Sequence, residues 1–574
     1  MATTSARETS GRASHGAIAT AARTRASAGP SPEMRATSGP FASPPTWLPA
    51  IVGSLLAYAA FPPLDCWPLA WVAPALWLLV VRRRELAGRR RYLMLWVAGF
   101  TFWFPVLHWL RLPHPVTILG WLALSTYLAC YLPTFVAICR VAVHRLHVPL
   151  ILAAPIAWTG LELAQSHLLT GFNMASLAHS QWRWLPVIQI ADVGGGYAVT
   201  FLIMFVAACL ATMLPWEGRR GVLWPVLPAL AALGAVLAYG CWRLDHPAGK
   251  AGPTIALIQG SIDTELKFDP DKQREIHPHY FGLSQHARHT AAALDLIVWP
   301  ETMFRDPLLS CTDDAVLPPT WPVSRDQLRE DVMYRRREIA QQALDLETPV
   351  LLGVDYWQVT SRGLERFNSA LFVDRQGRIG PRYDKMHPVL FGEYVPFAKQ
   401  FEWLASVSPI GAGIDWGTEV PAFEVAGARL AANICYESAM SHVIRQQVTR
   451  LREEGKEPDV LVNLTNDGWF RGSSELDLHL TCGIFRAIEC RKPFLIAANT
   501  GFSAWIDSDG RIVERGPRRA AAVIIARPVL DARRSPYLAC GDWPAGICLL
   551  GACVVGLIGL WDQRKRFWVL GLRS

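Results

Sequence analysis

Three residues far apart in the chain have the types that acyl chemistry needs: Glu301, Lys385 and Cys435. Cys435 stands in Asn433-Ile434-Cys435-Tyr436-Glu437, directly after the apolar run Leu430-Ala431-Ala432. That pattern predicts a buried strand delivering a thiol to an edge, with an acid two residues on. A thiol of pKa about 8.5 is only a few per cent thiolate near neutrality, so as a nucleophile it needs a base. Glu301 closes Leu296-Ile297-Val298-Trp299-Pro300-Glu301, just past another expected strand, and a carboxylate there can take the thiol proton. Lys385, in Tyr383-Asp384-Lys385-Met386-His387, can hold an oxyanion together with a backbone N–H beside Cys435. Taken singly, each has a plainer reading: a solvated loop acid, a surface lysine, an inert buried thiol.

The elements that must position these groups alternate between strand and helix. Apolar runs at 254–259, 296–299, 350–354, 370–373, 430–434, 460–464, 494–498 and 503–506 predict short strands. Charged helical stretches fall near 271–290, 325–346, 438–454 and 475–490. Short buried strands alternating with helices predict an α/β sheet covered by helices, over residues 250–535.

The rest of the chain reads as membrane. Of 574 residues, 51% are hydrophobic and only 18% charged, against about 25% charged in soluble domains. Many of the 24 Trp lie at the ends of apolar runs, among them Trp47, Trp67, Trp109, Trp184, Trp216, Trp242, Trp543 and Trp561, as in the aromatic belts of a bilayer. Runs near 47–63, 67–81, 92–110, 116–139, 148–169, 186–214, 222–242 and 543–561 predict about eight spans, each needing about 20 apolar residues. The first two are short and meet at Phe61-Pro62-Pro63, so they form either a helical hairpin or one broken element.

Residues 1–45, rich in Ser, Thr, Ala and Arg, predict a disordered basic tail. Seven spans over 46–245, a domain over 250–535, a last span over 543–561 and a basic tail over 562–574 complete the expected order. Arg82–Arg84, Arg89–Arg91, Arg140, Arg145, Arg219, Arg220, Arg564, Lys565 and Arg566 occupy alternate loops. That alternation predicts both termini in the cytoplasm and the 250–535 domain outside it. Glu162, within a span, costs about 2.5–3.5 kcal/mol at a helix centre and is expected to face the bundle interior or an interface. The 12 Cys show no metal spacing and no disulfide framework.

In this order and with these flanks, Glu301, Lys385 and Cys435 resemble the Glu-Lys-Cys triad of the nitrilase superfamily. The spans on both sides narrow the resemblance to its membrane-embedded branch, the apolipoprotein N-acyltransferase family. Phe61-Pro62-Pro63, Trp67-Pro68-Leu69-Ala70, Gln189 to Gly195, Val298 to Glu301, Asp384-Lys385 to Pro396, Asn433 to Glu437, Asn466 to Phe470, His479-Leu480, Arg486-Ala487 and Asn499-Thr500-Gly501 carry it.

The resemblance implies an α-β-β-α sandwich on a helical bundle in a bacterial inner membrane, with that domain in the periplasm. It implies no cofactor, no metal and no nucleic acid. Glu301 is then the proton acceptor, Lys385 the oxyanion stabiliser and Cys435 the nucleophile. Glu393, Tyr436 and Glu437 are supporting residues, which orient Lys385 and the thiol and keep the Glu301 proton exchangeable. Surface ion-pair acids, or packing for Tyr436, are the plainer readings. The donor is a phospholipid, the intermediate a thioester, and the acceptor the N-terminal diacylglyceryl-cysteine of an apolipoprotein.

Phe268 stands where the family usually has a substrate-contacting Trp, Gln165 where it has Arg, and Asn173-Met174 where it has Pro-Trp. The stretch 304–331, with Cys311, is longer than typical. Two other readings remain: a membrane-tethered amidase or nitrile hydrolase with water as acceptor, and a transporter with an inactive outer domain.

Overall fold

The computed structural model describes residues 45–86, 89–217, 220–245, 249–263, 270–304, 307–317, 321, 323–398, 400–401, 403, 406 and 413–571. The N-terminal tail up to residue 44, Phe268 and residues 572–574 lie outside the described residues.

Fifteen strands are described: β1 (Gly249–Ala251), β2 (Ile255–Gln259), β3 (Leu296–Val298), β4 (Leu308–Cys311), β5 (Val350–Thr360), β6 (Gly363–Val373), β7 (Ile379–Asp384), β8 (Phe423–Val425), β9 (Ala428–Ile434), β10 (Val460–Thr465), β11 (Phe494–Ala498), β12 (Ala504–Ile506), β13 (Ile512–Arg515), β14 (Ala522–Ala526) and β15 (Val529–Asp531). One sheet runs β14-β2-β3-β5-β6-β7, with β4 beside β5; a second runs β13-β12-β11-β10-β9-β8. The strands β9, β10 and β11 are mutually parallel, as are β2, β3 and β5. Parallel strands covered on both faces read as unbroken apolar runs, which is why the sequence showed them.

Alternate side chains divide the layers. Leu257, Val298 and Leu351 of one sheet face Leu430, Ile434, Val462 and Leu464 of the other. The opposite face of the first sheet, with Ile258 and Ile297, packs on Tyr280 of helix Pro270–Thr290 and Ile339 of helix Arg325–Asp345. Leu461, one residue out of phase, turns to Ile444 of helix Ser441–Glu453 and Ile484 of helix Glu475–Cys490. The result is the α-β-β-α order. The 304–331 stretch contributes β4, paired parallel to β5 from Leu308↔Tyr356 to Cys311↔Val359, and the Ser324 cap of the next helix.

Four apolar helical stretches meet the length and hydropathy of a membrane span: Thr117–His144, Gly196–Met213, Val226–Leu244 and Trp543–Arg564. The segments Trp47–Ala59, Trp67–Val81, Leu150–Gln165 and Leu185–Gly194 are apolar but shorter. The expected 186–214 span divides at Gly195, whose φ of 66° no helix accommodates. A count of eight full spans therefore exceeds what helix length alone supports. The last helix still joins the bundle: Gly160 of Leu150–Gln165 lies against its backbone, where an added Cβ would come within 2.7 Å of Leu549. Leu550, Leu557 and Trp561 of that helix remain 65% exposed, an apolar outer face.

The basic loops gather at one end of the bundle. Arg140 donates to the Val81 carbonyl at 3.1 Å, and Arg82 to the Leu214 carbonyl at 2.8 Å. Arg145 pairs with Asp562 at 3.1 Å. Cations on orphan helix C-terminal carbonyls are favourable.

Helix Glu475–Cys490 joins the bundle to the sandwich. It opens with acids at its positive dipole end, and every residue but Asp477 is buried, the polar Glu475, His479, Arg486 and Glu489 included. It ends at Arg491 in the left-handed region, φ 51°. The fully buried Arg491 guanidinium donates to Asp192 at 2.7 and 2.9 Å, to Gln189 at 2.7 Å and to Asp509 at 2.9 Å. Asp192 also receives Arg243 at 2.7 Å. Gln189 to Gly195, anticipated as the start of a span, is thus also the socket for this arginine. Arg491→Met leaves Asp192 buried with one cation fewer. Breaking such a pair costs about 3–5 kcal/mol, and the thermal unfolding midpoint of the detergent-solubilised protein is expected to drop by several degrees.

Candidate active site

Glu301, Lys385 and Cys435 come together at the strand ends between the two sheets. Glu301 follows β3 and Pro300, and its loop crosses β5 so closely that a Cβ on Gly353 would lie 2.1 Å from the Pro300 carbonyl oxygen. Lys385 follows the edge strand β7 and is tied to β6 by its own N–H, which donates to the Asn368 carbonyl at 2.9 Å. Cys435 follows β9 at the first residue of a 3-10 turn, Cys435–Ala439. It lies at a strand end, not at a sheet edge, because β9 is flanked by β8 and β10. Its φ of 51° is strained for a non-glycine residue.

The electrostatics centre on Lys385, whose side chain is fully buried. Its Nζ lies 2.7 Å from Glu393 and 3.5 Å from Glu301. Burial works against the ammonium, but these two carboxylates outweigh it and raise its pKa above the usual lysine value. Glu301 is fixed further by Asn368 Nδ2 at 2.7 Å and by the Asn466 N–H at 3.0 Å. Glu393 receives Asn368 at 3.4 Å and the Val389 N–H at 2.8 Å. The site thus carries two carboxylates against one ammonium, next to a thiol. Burial raises the Cys435 thiol well above its ordinary value, the Glu301 charge raises it further, and Lys385 opposes both. The resting group is a thiol, and it needs a base in reach before it can attack.

Glu437 is buried and works through backbone. It accepts the Ile434 N–H at 2.7 Å, the Met386 N–H at 2.7 Å, the His387 N–H at 2.9 Å and the Tyr383 hydroxyl at 2.9 Å. One carboxylate therefore sets the distance between the loop that carries Lys385 and the turn that carries Cys435. Its contacts are with those segments, and none of these bonds runs to Glu301. Tyr436, half-buried, donates its hydroxyl to the Gly171 carbonyl of the bundle at 3.3 Å. Gln165 donates to the Phe172 carbonyl at 3.1 Å within that same bundle turn, and Asn173 and Met174 are buried behind it. Glu162 accepts from Thr200 at 3.0 Å inside the bundle.

Asn368 was not singled out from sequence. The available signal was an amide just before the apolar run Ala370–Val373, in Phe367-Asn368-Ser369-Ala370. Asp467, Glu475 and His479 offer three ligand atoms within 4.8 Å of one another. Both His479 nitrogens have acceptors, Asp467 for Nδ1 at 3.0 Å and the Cys435 carbonyl for Nε2 at 3.2 Å, so the cluster fits an ion pair better than a metal.

Residues 53–209 match the family model described as the apolipoprotein N-acyltransferase N-terminal domain, and residues 254–535 match the carbon-nitrogen hydrolase model. The chain is 32% identical over 568 residues to "Apolipoprotein N-acyltransferase" of Rhodopirellula baltica, covering 91% of this chain and 99% of that protein. It is 33% identical over 527 residues to the protein of the same name from Geobacter metallireducens, covering 89% and 95%. Among solved structures, an amidase from Nesterenkonia sp. is 16% identical over 50% of this chain and 95% of its own, with a TM-score of 0.34.

The charge balance gives opposite signs for two substitutions. Lys385→Met removes the cation that favours the thiolate, so the pH midpoint of Cys435 alkylation by iodoacetamide rises. Glu301→Gln removes an anion that disfavours it, so the midpoint falls. Each shift is expected to be about 1–3 in pH, read from the mass of the Cys435 peptide; shifts of the same sign would contradict this electrostatic assignment.

Proposed function

The chain belongs to the apolipoprotein N-acyltransferase family, and from that membership we propose that Cys435 carries an acyl chain as a thioester from a phospholipid to the N-terminal amine of a diacylglyceryl-cysteine lipoprotein. The observation that supports it most is the grouping of buried Glu301 and Lys385 with part-buried Glu393 beside a part-buried Cys435. Glu301 takes the thiol proton as sulfur attacks the ester carbonyl. The oxyanion forms between the Lys385 ammonium and the backbone N–H of Tyr436, which lies in the first turn of a helix and has no carbonyl of that helix to meet. Collapse breaks the ester C–O bond, and the lysophospholipid leaves with the proton from Glu301. The acceptor amine then attacks the thioester and loses its proton to Glu301. The C–S bond breaks, an amide remains, and the thiol recovers the proton.

Glu393 holds the ammonium, Glu437 spaces the two loops, and Tyr436 braces the turn on the bundle. Phe268 remains a proposed substrate contact. Chain regions are proposed as a tail over 1–45, seven spans over 46–245, the catalytic domain over 250–535, a last span over 543–561 and a tail over 562–574. The short apolar helices supply the remaining spans because they pack beside the long ones. The basic loops at one end of the bundle support a cytoplasmic placement of both termini, with the catalytic domain in the periplasm of a bacterial inner membrane. Phe391, Phe397 and Trp403, in the segment after Lys385, are 65%, 67% and 64% exposed, which suits a site open to lipid. Lipid substrates need such a site, since moving an acyl chain into water costs about 0.8 kcal/mol per CH₂.

Mass spectrometry of the purified protein incubated with phospholipid alone tests the scheme. An acyl mass is expected on Cys435, released by hydroxylamine and absent from Glu301→Gln. An unmodified Cys435, under conditions that support transfer to a lipopeptide, would rule out the thioester.

A further inference from the structure

Beneath the nucleophile lies a buried charged cluster that the scheme above does not use. His479, on helix Glu475–Cys490, is 4% exposed. Its Nδ1 lies 3.0 Å from Asp467 Oδ1, and its Nε2 lies 2.7 Å from Ser438 Oγ and 3.2 Å from the Cys435 carbonyl oxygen. The acceptors at Asp467 and at the Cys435 carbonyl require a proton on each ring nitrogen. Burial opposes that charge, but the Asp467 carboxylate, with Glu475 at 4.0 Å, raises the imidazole to about 9. Glu475 itself is pushed well up by burial and by Asp467. Asp467 is held in turn by the Thr465 hydroxyl at 2.8 Å.

The same carbonyl also accepts Asn463 Nδ2 at 3.1 Å and Ser438 Oγ at 3.2 Å. Three side-chain donors, one of them cationic, thus converge on the Cys435 carbonyl oxygen. That oxygen belongs to the Cys435–Tyr436 peptide, whose other end is the Tyr436 N–H. Hydrogen bonds to one end of an amide polarise it and strengthen donation from the other.

We propose that His479 is a positioning residue: as an imidazolium anchored by Asp467, it holds the strained Cys435 turn and polarises the peptide whose N–H stabilises the oxyanion. This inference rests on Cys435 being the nucleophile. It distinguishes two reactions of one thiol, because acylation by an ester passes through an oxyanion and alkylation by iodoacetamide does not.

The full-length protein in detergent, with phospholipid in single-turnover acylation and iodoacetamide in alkylation, provides the test. His479→Gln is expected to slow acylation about tenfold, below the 10²–10³ that loss of a direct donor costs, with alkylation within about twofold of wild type. Ser438→Ala, which deletes one donor and leaves the ion pair intact, is expected to shift the same ratio by about threefold and decides the matter if His479→Gln unfolds. Acylation unchanged in both variants, or acylation and alkylation slowed alike, overturns the role of His479. Absence of acyl on Cys435 of the wild-type protein would instead overturn the nucleophile.

Discussion

A fully buried ammonium is the constraint around which this domain is organised. Lys385 has no access to water, and a lone charge there would be lost by deprotonation or would unfold its surroundings. Glu393 and Glu301 supply the opposite charge, and Asn368 donates to both carboxylates. Those four residues come from four places in the chain, after β3, within β6, after β7 and in the loop beyond. Fixing the ammonium therefore fixes the order in which strands meet. The two carboxylates leave the cluster net negative, which keeps the adjoining thiol protonated until something needs its proton. A thiol that rests neutral and becomes charged only during reaction can share one pocket with a buried carboxylate base.

The second constraint is where this cluster sits. Helix Glu475–Cys490 is buried against sheet and bundle together, so one apolar core runs from the sandwich into the membrane helices. Arg491 in its socket, Glu489 accepting the Gly196 N–H at 2.9 Å, the Tyr436–Gly171 bond and the stacked His167 and His442 rings at 4.3 Å all bridge the two parts. The membrane segment is thus part of the site's support and not a tether. That is the arrangement expected for an enzyme whose substrates stay in the bilayer, and it tells against a soluble substrate reached from a single anchor.

Much of the sandwich was readable because burial on both faces writes itself as apolar runs. The strands β2, β3, β9, β10 and β11 and the four outer helices fall where those runs and charged stretches predict. The missed strands have physical reasons. β7 contains Gly380 and Pro381 and reads as a turn; it survives as an edge strand, with its register irregular between Leu371 and Val373 of β6. β8, β13 and β15 are short, and β13 is largely exposed, so their pairing comes from neighbours and not from local pattern. In the membrane, composition showed the apolar helices well, but among the described residues four of them meet the length of a span and four are shorter, because Gly195 and other breaks interrupt runs that hydropathy alone joins.

Residue types and their order determined which groups can do the chemistry: a thiol, a carboxylate and an ammonium after buried strands, between apolar stretches that soluble proteins do not carry. They also determined family membership, because the motifs recur in order along nearly the whole chain. Distances were decided only by the fold. That Glu437 binds backbone and not Glu301, that Asn368 joins two acids, and that His479 reaches the nucleophile's own carbonyl depend on contacts between segments 25 to 67 residues apart. Local sequence encodes burial and turn preference over a few residues. Which buried polar atoms meet depends on sheet order and register, and these emerge only when every apolar face has found its cover.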